Sequence, residues 1–188
     1  MKLKTLILGL CIAEFIAAVT QLEVGSLNSC AILTTKVAKC WGIGQFNGNG
    51  NSNDIGATSG TMGTSLPPII WGIDSASYVP IALSTGGDSS QFSSTCGILE
   101  NSLDASRIIR CFGDNPSGKL GFDTGSAIWG ASPNQMNSIN FTAVNLGTNM
   151  QPSAISVGTH HACAIISRSS PSIVDRRVKC WGSGKFSI

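Results

Sequence analysis

Two interleaved series of cysteines constrain this chain more than any other feature. Cys30, Cys96 and Cys163 each open an apolar run: Cys30-Ala31-Ile32-Leu33, Cys96-Gly97-Ile98-Leu99 and Cys163-Ala164-Ile165-Ile166. Each run is followed by a second block: Lys39-Cys40-Trp41-Gly42, Arg110-Cys111-Phe112-Gly113 and Lys179-Cys180-Trp181-Gly182. The first series is spaced by 96 − 30 = 66 and 163 − 96 = 67 residues, the second by 111 − 40 = 71 and 180 − 111 = 69. Matched periods of this size mark an internal repeat, one supersecondary unit that buries its faces against its neighbours.

Within each unit, short apolar runs bounded by Gly, Ser and Asn read as strands. Cys30 to Leu33 and Val37 to Trp41 flank Thr34-Thr35-Lys36 as a hairpin. Further strands are expected at Tyr78 to Leu83, echoed by Phe141 to Leu146, and at Ala154 to Gly158, with Leu22 to Gly25 as its earlier echo. Beyond the N-terminus no window sustains a 3.6-residue period. Four short strands per unit is the arithmetic of a propeller blade. The expected fold is all-β, a partial β-propeller of about two and a half four-stranded blades, with units at about 21–83, 84–147 and 148–188, the last incomplete.

Lys2 and Lys4 precede the run Leu6 to Ala13, and Glu14 interrupts it before Phe15 to Val19. That is short of the roughly 20 apolar residues a membrane span needs. A positive start, a short apolar core and small residues behind it predict a secretory signal peptide over 1–20, a helix ahead of the propeller, cleaved between Ala18 and Gln21. The expected location is therefore secreted, in the extracellular space. Cleavage leaves 12 − 2 = 10 basic residues, 10 − 1 = 9 acidic residues and 7 − 1 = 6 cysteines. An even count in an exported chain suggests disulfides. Cys30 and Cys40 lie symmetrically about Thr35, so an antiparallel hairpin sets them face to face. Cys96 with Cys111 and Cys163 with Cys180 follow at the bases of longer loops, which hold Asn101 to Asp104 and Ser169 to Ser172. Six reduced core thiols is the reading for a cytosolic chain.

Here the pattern Gly158-Thr159-His160-His161-Ala162-Cys163-Ala164-Ile165, then Val178-Lys179-Cys180-Trp181-Gly182, resembles the regulator of chromosome condensation repeat. That family adds an Asn-x-x-Gly-Gln-Leu-Gly loop. Asn115-Pro116-Ser117-Gly118-Lys119-Leu120-Gly121 matches it with Lys119 in place of Gln, and Gly44 to Gly50 is a looser version. The resemblance covers about Leu22 to the end. It implies propellers of about seven blades, so two full units and the opening of a third suggest a fragment of a longer chain. Asn51 to Leu66 and Phe122 to Asn137, rich in Ser, Gly and Asn, read as mobile surface loops. Ile70-Trp71-Gly72 and Ile128-Trp129-Gly130 look alike but stand at different offsets from the cysteines.

Several patterns imitate chemistry. Gly113 to Lys119 reads Gly-x-x-x-x-Gly-Lys, but Leu120 stands where a phosphate-binding loop needs Ser or Thr. His160, His161 and Cys163 suggest zinc, yet Asn28 and Ser94 occupy the place of His161 in the other units. The resemblance makes His161 a structural histidine instead. Cys40-Trp41 and Cys180-Trp181 repeat as strand residues rather than standing as a lone nucleophile. Neither a Gly-x-Ser-x-Gly elbow nor paired carboxylates for glycoside hydrolysis is present. Catalytic, metal and cofactor residues are accordingly expected to be none. Asn140-Phe141-Thr142 is a glycosylation sequon, making Asn140 the candidate site of a glycoprotein.

A net charge of +2 with scattered basic residues gives no footprint for nucleic acid, and no nucleotide is expected. The function read from the sequence is a non-enzymatic platform binding a protein or a glycan through its rim loops. A membrane enters only if a missing C-terminal part carries an anchor. The resemblance implies two alternatives: a guanine-nucleotide exchange factor for a small GTPase, against which the export signal argues, and a propeller-type inhibitor of a secreted hydrolase.

Overall fold

The computed structural model describes residues 19–72, 77–88, 92–122, 127–137, 139–168 and 175–183. The signal segment thus falls outside the described residues up to 18, and Val19 and Thr20 already open the first strand. Among the described residues, ten strands form three antiparallel sheets. The first holds β1 (Val19–Val24), β2 (Asn28–Leu33) and β3 (Ala38–Gly42). The second holds β4 (Tyr78–Gly87), β5 (Ser93–Asn101), β6 (Arg107–Asp114) and β7 (Ile128–Trp129). The third holds β8 (Met150–Val157), β9 (His161–Arg168) and β10 (Arg176–Gly182). Each sheet is a meander in chain order, as in a propeller blade.

The cysteines set the register. Cys30 pairs with Cys40, Cys96 with Cys111 and Cys163 with Cys180 directly across the ribbons. All three pairs are disulfides, with Cα atoms 4.1, 4.0 and 4.0 Å apart. So close an approach belongs to the narrow, non-hydrogen-bonded site of an antiparallel ladder, where side chains stand nearest. Alternate residues share a face, so each bridge marks one face of its blade and the residues between mark the other.

The blades stack in one sense. The bridge face of the first sheet meets the opposite face of the second: Cys30 Sγ lies 3.7 Å from Thr95 Oγ1, and Asn28 Nδ2 donates to the same hydroxyl at 3.0 Å. The bridge face of the second meets the third, where Val157 N donates to Ser84 Oγ at 3.0 Å. Both junctions are buried in a continuous core that includes Ile32, Leu83, Ile98, Leu99, Ile109, Phe112, Ala162 and Ile166.

Four sequence expectations change. Phe141 to Leu146 is not a strand; it is a linker between blades, touching a ladder through the bond from Val144 N to Ile109 O at 2.8 Å. Its apolar side chains Phe141, Val144 and Leu146 are buried because it is wedged between sheets. The echo of Tyr78 to Leu83 is instead β8. Both strands break register after a proline, Pro80 and Pro152, whose missing N–H suits a bulge. The pairing of β4 with β5 also puts the sheet boundary ahead of Tyr78, a few residues before the unit boundary suggested by cysteine spacing. Finally, the second Ser- and Gly-rich loop carries β7, with Trp129 only 5% exposed. Trp129 pairs within its own sheet whereas Trp71 lies between sheets, so the two Ile-Trp-Gly segments are not equivalent.

Candidate functional site

The polar residues that suggested chemistry are placed at the blade junctions. At the first, Asn28 is 3% exposed and fully engaged. Its Nδ2 donates to Phe46 O at 3.0 Å, and its Oδ1 accepts from Ser93 Oγ at 2.6 Å. The Gln21 side chain adds a paired contact, accepting from Leu83 N at 2.8 Å and donating to Leu83 O at 2.9 Å. Gly97 has no side chain because the Trp71 ring occupies the place a Cβ would take, and Trp71 in turn packs on Phe112 with centroids 5.6 Å apart.

At the second junction, Lys119 is fully buried, and its ammonium donates to Thr159 O at 2.7 Å across the blades. Trp181 Nε1 returns a bond to Lys119 O at 2.9 Å. Burial pushes the Lys119 pKa down to about 8, while the carboxylates of Asp114 and Asp88 oppose that shift. Asp114 moves the other way: burial raises its pKa, with the Lys119 charge holding it back. The residue that completed the phosphate-loop imitation is therefore a bolt between two blades.

The other sequence-selected residues also resolve into structure. Cys163 is committed to a disulfide and offers no thiolate to a metal beside His160 and His161. His160 stands edge-on to Phe92 at 5.4 Å, and His161 is half-buried at the start of β9. Asn140 and Thr142 are exposed, in a turn and the linker after it.

A recurrent set was missed in the sequence. The basic residue before each second cysteine donates to a backbone carbonyl outside its own sheet: Lys39 Nζ to Gly63 O at 3.4 Å, Arg110 to Trp71 O, and Lys179 Nζ to Asn145 O at 2.8 Å. The signal was its presence in all three units.

Among the described residues the surface clefts are shallow and loop-built. One cleft of about 350 Å³ runs between the first two blades, lined by Pro67, Pro68, Ile70, Pro133 and Met136 with Asn49, Asn134 and Asn137 around them. The exposed ends of the stack differ. On the outward face of the first blade, Leu22 and Val24 are exposed, but Ala31 is covered and Trp41 lies beside Gly56 of the 51–66 segment. On the outward face of the third, Ile165 and Val178 are 41% and 69% exposed and Cys180 is exposed with them.

No family model matches the sequence, and no curated protein matches it. Solved structures do match. Human WBSCR16 superposes with a TM-score of 0.52 at 16% identity, over 87% of this chain and 38% of that one. Yeast RCC1 (Prp20) bound to Kap60 gives 0.44 at 16% identity, over 79% of this chain and 30% of that one. Prp20p from Saccharomyces cerevisiae, whose binding to Gsp1p and histones was described with its structure, gives 0.49 at 15% identity, over 88% and 33%. The chain thus spans well under half the length of each.

Proposed function

Taking as premise that the chain folds as a partial β-propeller of the regulator of chromosome condensation type, we propose that it is a secreted, non-enzymatic platform that binds a protein or a glycan. The observation that carries this reading is the commitment of its reactive side chains to architecture. Six cysteines are spent in three bridges, and Lys119, Asn28 and Arg110 are spent on contacts between blades. What remains outward is a set of loops on a cross-linked frame, which is how a repeat scaffold presents a binding surface. Three disulfides favour an oxidising compartment, and among the described residues no helix is long and apolar enough to cross a membrane. Asn140, exposed, is the proposed glycan acceptor on a eukaryotic secretory route.

The full chain, expressed through a secretory pathway, is tested against arrays of glycans and of extracellular protein ectodomains. Saturable binding that is lost on substituting residues of the Pro67–Pro133 cleft supports the platform. Retention in the cytosol with free thiols, together with accelerated release of labelled GDP from a small GTPase, overturns it in favour of an exchange factor. Sensitivity of the secreted protein's mass to an N-glycan-removing enzyme, abolished in Asn140→Gln, checks the sequon.

A further inference from the structure

The cleft between the first two blades is built before anything enters it, and both its walls belong to described segments of adjoining blades. One wall carries Pro67, Pro68 and Ile70. It is anchored by buried Leu66 and Ile69 and by the bond from Ile69 N to Ala38 O at 2.9 Å. The other carries Pro133, Asn134, Met136 and Asn137. There the Gln135 side chain accepts from Gly130 N at 2.9 Å and from Ser132 N at 3.0 Å, and Met136 is only 4% exposed. Gly50 N donates to Gly130 O at 2.9 Å, which ties the loop of the first blade to this second wall. Three prolines with fixed φ and walls bonded in place leave little to order when a ligand arrives.

The chemistry of the lining selects what can enter. Among the described residues, none that lines the cleft is ionisable and none is aromatic. A charge carried in would lose its water and gain no partner. A sugar would set its hydroxyls over proline, isoleucine and methionine, where they find no bonds, and would meet no aromatic face to stack on. An aliphatic side chain suffers neither loss. Beside the apolar lining, Asn134 and Asn137 are exposed, and their side-chain amides make no hydrogen bond among the described residues. A carboxamide offers the donor and the acceptor of a peptide group, so these two can bond a backbone laid along the cleft. The volume, about 350 Å³, is at the small end for a ligand site and suits one side chain with its flanking backbone. We propose that this cleft docks an uncharged segment of a partner protein, which inserts one bulky aliphatic side chain and bonds Asn134 and Asn137 through its backbone. Such docking presupposes the platform function above and narrows its ligand from a protein or a glycan to a protein.

The test follows the isotopically labelled full chain by NMR while capped pentapeptides are added. One set holds a central leucine between serines and glycines, and two others hold glutamate or lysine in its place; chitotriose and mannotriose are the sugar probes. The leucine peptides are expected to shift the side-chain amide signals of Asn134 and Asn137 and the backbone signals of Gly50 and Ile70, saturably. The glutamate and lysine peptides should bind at least about tenfold more weakly. Ile70→Asp places a charge at a position 45% exposed, and should abolish the leucine-peptide shifts while leaving the rest of the spectrum in place. Asn137→Ala, at an exposed position, should weaken binding several-fold with the fold intact. No binding of the leucine peptides, equal binding of the charged ones, or binding that survives both substitutions overturns the proposal. Sugars that shift these signals where the peptides do not overturn it too, but leave the platform standing as a glycan binder. The platform itself falls on the separate result of cytosolic retention with accelerated GDP release.

Discussion

The second and third blades are written in nearly the same code and live in different surroundings. Both carry Cys-x-Ile on the inner strand of the ribbon and a basic residue, Cys, an aromatic and Gly on the outer. In β5 every residue from Ser93 to Leu99 is buried, because blades press on both faces. In β9 only Ala162, Ala164 and Ile166 are buried, the face toward the second blade. The repeat therefore specifies a ribbon and its bridge, while burial is conferred by the neighbours. Gly97 and Ala164 occupy the same position, and the glycine is required only where the Trp71 ring leaves no room for a Cβ.

The sharpest way to break this contrast is to remove the bridges one at a time. Loops of 15 and 17 residues contribute nearly equal chain entropy, about 3 kcal/mol each. The buried pair adds a cavity when truncated, so Cys96→Ala/Cys111→Ala should cost about 4 to 5 kcal/mol and Cys163→Ala/Cys180→Ala only about 3. Urea unfolding of the two variants measures the gap. Equal losses would mean that the third blade is as enclosed as the second.

Ile109 and Val178 make the same comparison without touching a cysteine. They hold equivalent ladder positions, facing Ile98 and Ile165 across their ribbons, yet Ile109 is 0% exposed and Val178 69%. Ile109→Ala is expected to destabilise by about 3 kcal/mol through its cavity, and Val178→Ala by less than about 0.5 kcal/mol. A large effect at Val178 in thermal melts would reveal a cover over that face.

The junction between these blades should also be readable in pH. The Lys119 pKa, about 8, lies below its ordinary 10.5. Between those values the unfolded chain holds the extra proton, so stability rises with pH across that window, by about 2 kcal/mol. Chemical denaturation at about pH 7 and about pH 9.5 measures the rise, and Lys119→Met should abolish it. A rise that persists in Lys119→Met would assign the titration to another group.

Legibility in the sequence followed the same division. The ribbons were plain because cysteine register and strand alternation are properties of one unit: Cys30 and Cys40 centred on Thr35 fix their partners without any knowledge of a second blade. The linker from Phe141 to Leu146 is opaque in the sequence because its apolar residues answer to two blades at once. Phe141, Val144 and Leu146 look like an alternating strand, yet they are spaced to fill a wedge and make no ladder. Lys119 was opaque for a related reason. A lysine in a Gly-rich loop is ordinarily solvated, and only the third blade, by bringing Thr159 O above it, makes burial tolerable. The bulge prolines Pro80 and Pro152 were visible in hindsight as a shared Pro-x-Ala, a repeat element outside the cysteine blocks.

The smallest expected effects come from the recurrent basic residues, and their order tests whether neighbours alone set the energetics. Arg110, Lys179 and Lys39 occupy one repeat position and make one kind of bond, to a linker or loop carbonyl. Arg110 is 8% exposed and its guanidinium also lies 5.6 Å from the centre of the Phe141 ring, so its bond is shielded from water. Charge-assisted bonds of that kind contribute about 1.5 to 3 kcal/mol. Lys179 bonds at 2.8 Å and Lys39 at 3.4 Å, both at exposed sites where screening reduces such contacts to about 0.5 kcal/mol or less. Substitution to Met keeps the aliphatic stem and removes the donor, so Arg110→Met should cost about 2 kcal/mol, Lys179→Met about 0.5 and Lys39→Met almost nothing. A melt series in which Lys39→Met cost as much as Arg110→Met would mean that the 51–66 segment seals the first blade as firmly as a neighbouring blade seals the second, and that this end of the stack is closed.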